Sequence, residues 1–282
     1  MEIHRIRRRG FWVSLIKIAL RPIKRTCFTT IKSIFCNFFY LQYRGALFRK
    51  KAKISWVDHP LDEEIPFVPS LVGTYMDFLP FCVRTQAFLT EAFGKDADPY
   101  IESFIGDIGD LYALAASVYK RNFSTTRRPL YLWKPAFVSI HLFDPHLMCI
   151  PSLHVMVVIL TYRRMRQILR DLRAENEYDG EIESVRTRAI DITESILYIK
   201  QHSINCIAAG LYAMTCFDGQ LLPASEAYDF IGRLFRRGGP VSGLSSAAIR
   251  NHILDLYQSF LDSRPERGDW ERPLLDFLES QG

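Results

Sequence analysis

The sequence predicts an all-α protein, and three observations carry that prediction. Residues 100–119 and 181–199 place apolar side chains at helical spacing among charged ones. Two runs, 148–162 and 204–217, are apolar enough to form buried helices. No segment reads as a convincing strand, and the chain has no internal repeat.

In chain order, residues 1–53 predict two amphipathic helices broken near Arg21-Pro22, because the residue before a proline is driven out of the helical region. His59-Pro60 and Ile65-Pro66 predict a turn-rich connection over 58–66 for the same reason. A helix follows over 70–93, then a loop at 95–99 and the helix 100–119, with Asp107 and Asp110 on or near one face. Lys120-Arg121-Asn122 is a basic turn, and the apolar stretch 131–142 is interrupted at Lys134-Pro135. Helix resumes behind Pro151-Ser152, which supplies a fixed turn and a capping hydroxyl, and continues through the charged run 163–177. Asp179-Gly180 breaks the chain before an amphipathic helix at 181–199 and the most apolar run of the second half, 202–217. Residues 232–243 are glycine-rich and predict a loop, 247–261 a helix, and 264–282 a polar tail with a short segment at 270–278.

At 282 residues the chain can bury a sizeable core. It divides by composition into a basic arm (1–53), a main helical domain (54–220) and a C-terminal helical extension and tail (221–282). The net charge of +5 conceals an asymmetry. The arm carries fourteen Lys and Arg against the single acid Glu2, whereas the remainder carries 22 basic against 30 acidic residues. Such an arm meets an anion. Aromatic and aliphatic residues such as Phe11, Trp12, Ile16 and Phe38 interleave with the bases, which favours a phospholipid membrane surface over nucleic acid. The alternative is that these aromatics pack on the body and the charges form a solvated rim. Lys17 interrupts the apolar run of the arm, so no secretory signal is expected. The six cysteines lack metal-ligand spacing and read as reduced core residues. The apolar runs are short for a membrane span, which needs about 20 residues. A bundle held to the membrane by its arm and a weakly hydrophobic integral protein both remain open, with a cytoplasmic start if anything spans. A bacterial source would place it at the inner membrane.

Three stretches carry the chemistry. Residues 144–155 contain Pro151-Ser152-Leu153-His154 and put His154 on the first turn of a helix, where free backbone N–H groups favour an anion. Residues 195–210 contain Lys200-Gln201-His202 on an apolar helix with Gly210 eight positions on, and residues 62–75 precede both. In order and spacing the three resemble the type 2 phosphatidic acid phosphatase superfamily, in the branch related to inositol phosphorylceramide synthases. The resemblance runs from Asp62 to Gly210. It implies a helical bundle of the phosphatase and vanadium haloperoxidase kind, with no metal and no cofactor.

It also implies site roles. His202 would be the nucleophile and His154 the general acid, with Arg121, Arg128, Ser152 and Lys200 holding the phosphate oxygens. Positioning and charge neutralisation are what phosphoryl transfer requires. Arg121 stands where the family has lysine, and Arg127 rivals both arginines. Ile196 replaces an arginine of the third motif and Cys206 replaces the aspartate that orients the nucleophile. Asn205, three residues after His202, is the expected substitute acceptor. The implied function is a phosphatase or phosphotransferase acting on a lipid phosphate or related phosphoester. The alternatives are a degenerate relative that binds phosphate or head groups, and a helical membrane-surface interaction protein. Oligomeric state is open.

Overall fold

The computed structural model describes residues 6, 10–241, 243–265 and 268–281. Arg5, Arg7, Arg8 and Arg9 of the basic arm lie outside the described residues. The arm forms α1 (Phe11–Ala19) and α2 (Lys24–Ile34), which passes through a wider π-helical turn at Phe35–Tyr40 into α3 (Leu41–Leu47). Then come β1 (Ile54–Trp56), the single turn α4 (Val72–Tyr75), α5 (Phe78–Phe93), α6 (Asp98–Tyr119), β2 (Phe123–Thr125) and α7 (Pro135–Phe143). The second half is α8 (Leu153–Asp171), α9 (Asp179–Tyr198), α10 (Ile204–Phe217), α11 (Ala224–Arg233), α12 (Gly243–Asp262) and α13 (Arg272–Ser280).

The architecture is a helical bundle around α8, which packs against α5, α6, α9 and α10. Its residues Val155, Met156, Val157, Val158, Ile159 and Leu160 are all buried, so the apolar run covers every side of the helix, as a central position demands. Helix α10 is buried along Ile204 to Met214 for the same reason. A Cβ on Gly210 would lie 3.1 Å from that of Val155, so the glycine sets the close approach of α8 and α10.

The charges that make these helices poor lipid spans are consumed inside the bundle. Asp77 accepts from Arg84 at 2.8 Å and from Arg188 at 2.7 Å, joining α5 to α9. Arg164 pairs with Asp107 at 2.7 Å and Arg163 with Glu226 at 2.6 Å. Among the described residues, no helix is long and apolar enough to cross a membrane.

Several elements differ from expectation. The helix expected over 70–93 is split at Met76-Asp77, which leaves Pro80 in the first turn of α5, where no ring clash arises. Helix α8 stops at Asp171, and Arg173 beyond it takes a left-handed conformation with φ 56°. The break near Arg21-Pro22 is as expected, whereas Pro135, read as an interruption of the apolar stretch 131–142, instead starts α7.

A short parallel pair, β1 with β2, was not expected, because three-residue strands carry too little alternation to detect. Its second strand reaches the approach to α8. Ser124 of β2 donates its N–H to Leu147 O at 3.0 Å, and its hydroxyl accepts from Ile150 N at 2.8 Å. Strand β2 thereby fixes the segment that leads into that helix.

The arm lies on the body. Helix α1 packs on α5 and α2 on α6, with Thr30 Oγ1 donating to Ile105 O at 2.8 Å and Ser33 Oγ to Gly109 O at 2.7 Å. Phe38 packs edge-on to Tyr112, 5.8 Å between centroids. The packing reading of the arm's aromatics holds for Phe38, whereas Trp12, Ile16, Leu20, Phe28, Ile31 and Phe35 stay exposed. All six cysteines are free.

Candidate functional site

His154 is the second residue of α8. Its ring stacks on Tyr75 at 4.6 Å and lies 4.3 Å from that of Phe78. Ser152 holds the N-cap position but makes no capping bond; its hydroxyl is buried and has no partner among the described residues. The expected capping role is thus not observed.

His202 sits in the turn between α9 and α10 rather than on the helix that the spacing suggested. Helix α9 closes with Lys200 in the left-handed region, φ 55°. Lys200 N bonds Leu197 O at 3.0 Å and Gln201 N bonds Ile196 O at 2.9 Å, the paired closure of a Schellman end. Ser203 then caps α10 by accepting from Asn205 N at 3.3 Å. Asp62 accepts from Ile204 N at 2.9 Å and from His59 N at 2.8 Å, so the 62–75 stretch serves to seat this turn.

These two ends bring the rings of His154 and His202 to 5.4 Å, with His146 6.4 Å from His202. They line one narrow cavity of about 20 Å³, roofed by Phe38 and Gln42 of the arm and bordered by Asp144 and Cys149. Arg128 stands beside it. Its guanidinium donates to Gln201 Oε1 at 3.1 Å and to Asp144 O at 2.7 Å, tying together the two loops that carry the histidines. Two buried polar groups of the lining lack a partner among the described residues, Gln42 Nε2 and His202 Nδ1, and so does Ser152 Oγ, which precedes the lining residue Leu153 without itself lining the cavity.

The electrostatics are those of a crowded basic pocket. Apolar surroundings and the neighbouring His202 hold the His154 imidazole well below its ordinary range, so the ring is neutral near pH 7. Burial pushes the Cys149 thiol up, but contacts with Cys206, His146 and His202 outweigh it and bring the thiol well below its usual value. Burial lowers His146, but Cys149, 3.8 Å from Sγ to Nε2, together with Asp144 raises it on balance; Thr126 Oγ1 contacts the same nitrogen at 2.8 Å. Burial drives Cys206 well above its ordinary range, so it is a neutral thiol.

Three sequence-selected residues are not at the cavity. Lys200 extends its ammonium to the carbonyls of Asp62 and Ile65, which tie its charge to the 62–65 segment. Asn205 points away from His202: its amide donates to Val57 O at 3.1 Å and its oxygen meets His252 Nε2 at 2.7 Å. Arg121 pairs with Glu271 at 3.4 Å and Asp269 at 3.5 Å, beside a different cavity.

Conversely, the sequence gives no site role to His146, Cys149 or Gln42, and it reads Phe38 as facing a membrane surface. The first two lie in the 144–155 stretch and were open to notice as titratable neighbours of His154. Phe38 and Gln42 come from the arm and carry no local signal. No protein-family model, no curated protein and no solved structure matches this chain.

Proposed function

We propose that this protein is a phosphatase or phosphotransferase of the type 2 phosphatidic acid phosphatase kind, acting on a lipid phosphate or related phosphoester. The observation that carries the proposal is the meeting of His154 and His202, 5.4 Å apart, from motifs separated in the sequence. A ring nitrogen of His202 attacks phosphorus, the bond to the leaving oxygen breaks, and His154 gives that oxygen a proton. Water or an acceptor hydroxyl then displaces the phosphoryl group from His202. Ser152 and Gln42 offer donors to the phosphate oxygens, and Arg128 adds positive charge.

Two features refine these roles. His154 is neutral in the free protein and takes up a proton from solvent as substrate binds, because a phosphate dianion in the cavity raises the imidazole by direct attraction. Phosphate affinity should therefore strengthen as pH falls below neutrality. Among the described residues, no carboxylate is hydrogen-bonded to His202. Cys149 lies 3.8 Å from His146 Nε2, and contacts with Cys206, His146 and His202 lower its thiol, so it is the group we assign to the orienting place that Asn205 leaves empty.

A phospholipid surface belongs to the same reading. Leu130, Leu132, Trp133, Leu142 and Phe143 are exposed around α7, and Tyr43 OH donates to Phe143 O at 3.0 Å, so this patch continues the exposed face of the arm near the cavity. The degenerate reading is favoured by one observation, the size of the cavity, which suits a water molecule and needs Phe38 or Gln42 to yield before phosphate enters.

Release of inorganic phosphate from phosphatidic acid and from an aryl phosphate in mixed micelles separates the two. Activity abolished by both His202→Ala and His154→Ala is the expected result. An inactive wild type that gains activity on Cys206→Asp would overturn the proposal in favour of a phosphate-binding protein.

A further inference from the structure

A second cavity lies away from the histidines, between α3, the approach to β1 and the C-terminal end of α6, with a volume of about 580 Å³. Its walls carry Arg44, Lys51, Lys53, Lys120 and Arg121, and among the described residues no carboxylate lines it. Neighbouring acids offset only part of this charge. Lys53 pairs with Glu279 at 3.1 Å and Arg121 with Glu271 and Asp269. Lys120 meets only the Asn37 amide oxygen, at 3.4 Å, and among the described residues Arg44, Lys51 and Lys120 pair with no carboxylate. Concave like charge without counter-charge focuses a field that selects an anion.

The floor is closely packed. Gly45 faces the Phe123 ring so closely that a Cβ there would lie 2.6 Å from it, so the backbone of α3 itself forms the wall. The rim is apolar: Leu47 and Phe48 are 79% and 53% exposed, and Phe48 lines the cavity. Charged walls beside exposed apolar side chains suit a ligand with an anionic head and a hydrocarbon body.

We propose that this cavity binds the phosphate-bearing headgroup of an anionic phospholipid, with Leu47 and Phe48 against its acyl chains. It is a second lipid site, distinct from the histidine cavity, that would hold the arm at the bilayer while the histidines act. The proposal rests on the reading that the protein meets a membrane, and it adds where the headgroup is gripped.

Sedimentation of the full chain with phosphatidylcholine vesicles, with and without phosphatidic acid, tests it. Arg44→Glu and Lys120→Glu should each weaken binding to phosphatidic acid vesicles at least about tenfold, since each reversal replaces an attraction by a repulsion. Lys95→Glu, the same charge change before the opposite end of α6, should leave binding within about threefold. Leu47→Asp should weaken vesicle binding but not the binding of soluble glycerol phosphate. Melting curves confirm that each variant is folded; these side chains are exposed.

If wild type ignores both vesicle types, the membrane reading and this site fall together. If it binds but Arg44→Glu and Lys120→Glu bind as well, or Lys95→Glu costs as much as they do, the site alone is overturned. Glycerol phosphate bound as tightly as vesicles would overturn the lipid assignment in favour of a soluble phosphoester.

Discussion

Two histidine clusters flank the start of α10, and they are built in opposite ways. His59 and His252 stack at 3.8 Å, His252 Nε2 meets Asn205 Oδ1 at 2.7 Å, and His59 Nδ1 accepts from Leu61 N at 3.2 Å. His154, His202 and His146 surround a cavity, with partnerless Gln42, Ser152 and His202 atoms beside it. Buried polar groups are ordinarily satisfied, so the first cluster reads as structure and the second as a place prepared for something polar. The difference teaches where to look for chemistry: at the cluster with unmet hydrogen bonds, whatever its pattern in the sequence.

Removing a histidine from each cluster tests that contrast with the largest effect. His202→Ala should reduce phosphate release by about 10³-fold or more, the scale expected for a lost nucleophile. His59→Ala should leave turnover within about threefold and instead lower the melting temperature, because its bonds are internal. Equal losses of activity in both variants would erase the distinction.

Gln42 sharpens it. If its unpaired amide serves phosphate, Gln42→Ala should raise KM about tenfold with kcat little changed, as loss of a charge-assisted donor does. An unchanged KM would return Gln42 to a purely structural place in the arm.

Asn205 separates the clusters from the other side. Asn205→Ala should destabilise the protein by about 1–3 kcal/mol, because it strands His252 and the Val57 carbonyl in a buried setting. Phosphate release per folded molecule should stay within about twofold of wild type, measured after correcting for the folded fraction. Loss of activity without loss of stability would restore Asn205 to the orienting role that its spacing from His202 suggested.

The smallest effect is on pH dependence. Burial and the nearby charge of His59 lower His252 to about 4 from 6.5, so the unfolded chain takes up the proton first and this contribution to stability is lost as pH falls from 6.5 through 4. Glu194 behaves oppositely. Burial raises its carboxyl to about 7 from 4.5, so the folded state keeps the proton and stability is lost as pH rises from 4.5 through 7. Glu194→Gln, which keeps an oxygen to accept from Phe235 N, should raise the melting temperature at pH 8 and have little effect at pH 4. A shift of the same size at both pH values would remove titration as its cause.

Much of this organisation is legible in the residues themselves. Pro151-Ser152-Leu153-His154 announces the start of α8, and the apolar runs announce α8 and α10, because helical periodicity and proline stops act within a few residues. The pair His154 and His202 is likewise visible as spaced motifs. Illegible are Phe38 and Gln42, which reach the cavity only because Thr30 and Ser33 bind α6, and Lys200, whose charge is spent closing a turn.

The sequence by itself determined the helical class, the stops between helices and the two histidine motifs, since propensity, capping and hydrophobic spacing are local forces. Tertiary structure alone decided which histidines meet, which way Asn205 turns, and that basic residues of the arm and of the end of α6 enclose one cavity. Those outcomes depend on contacts such as Asn205 with His252, 47 residues apart, where packing of the whole bundle, and no local preference, chooses the partner.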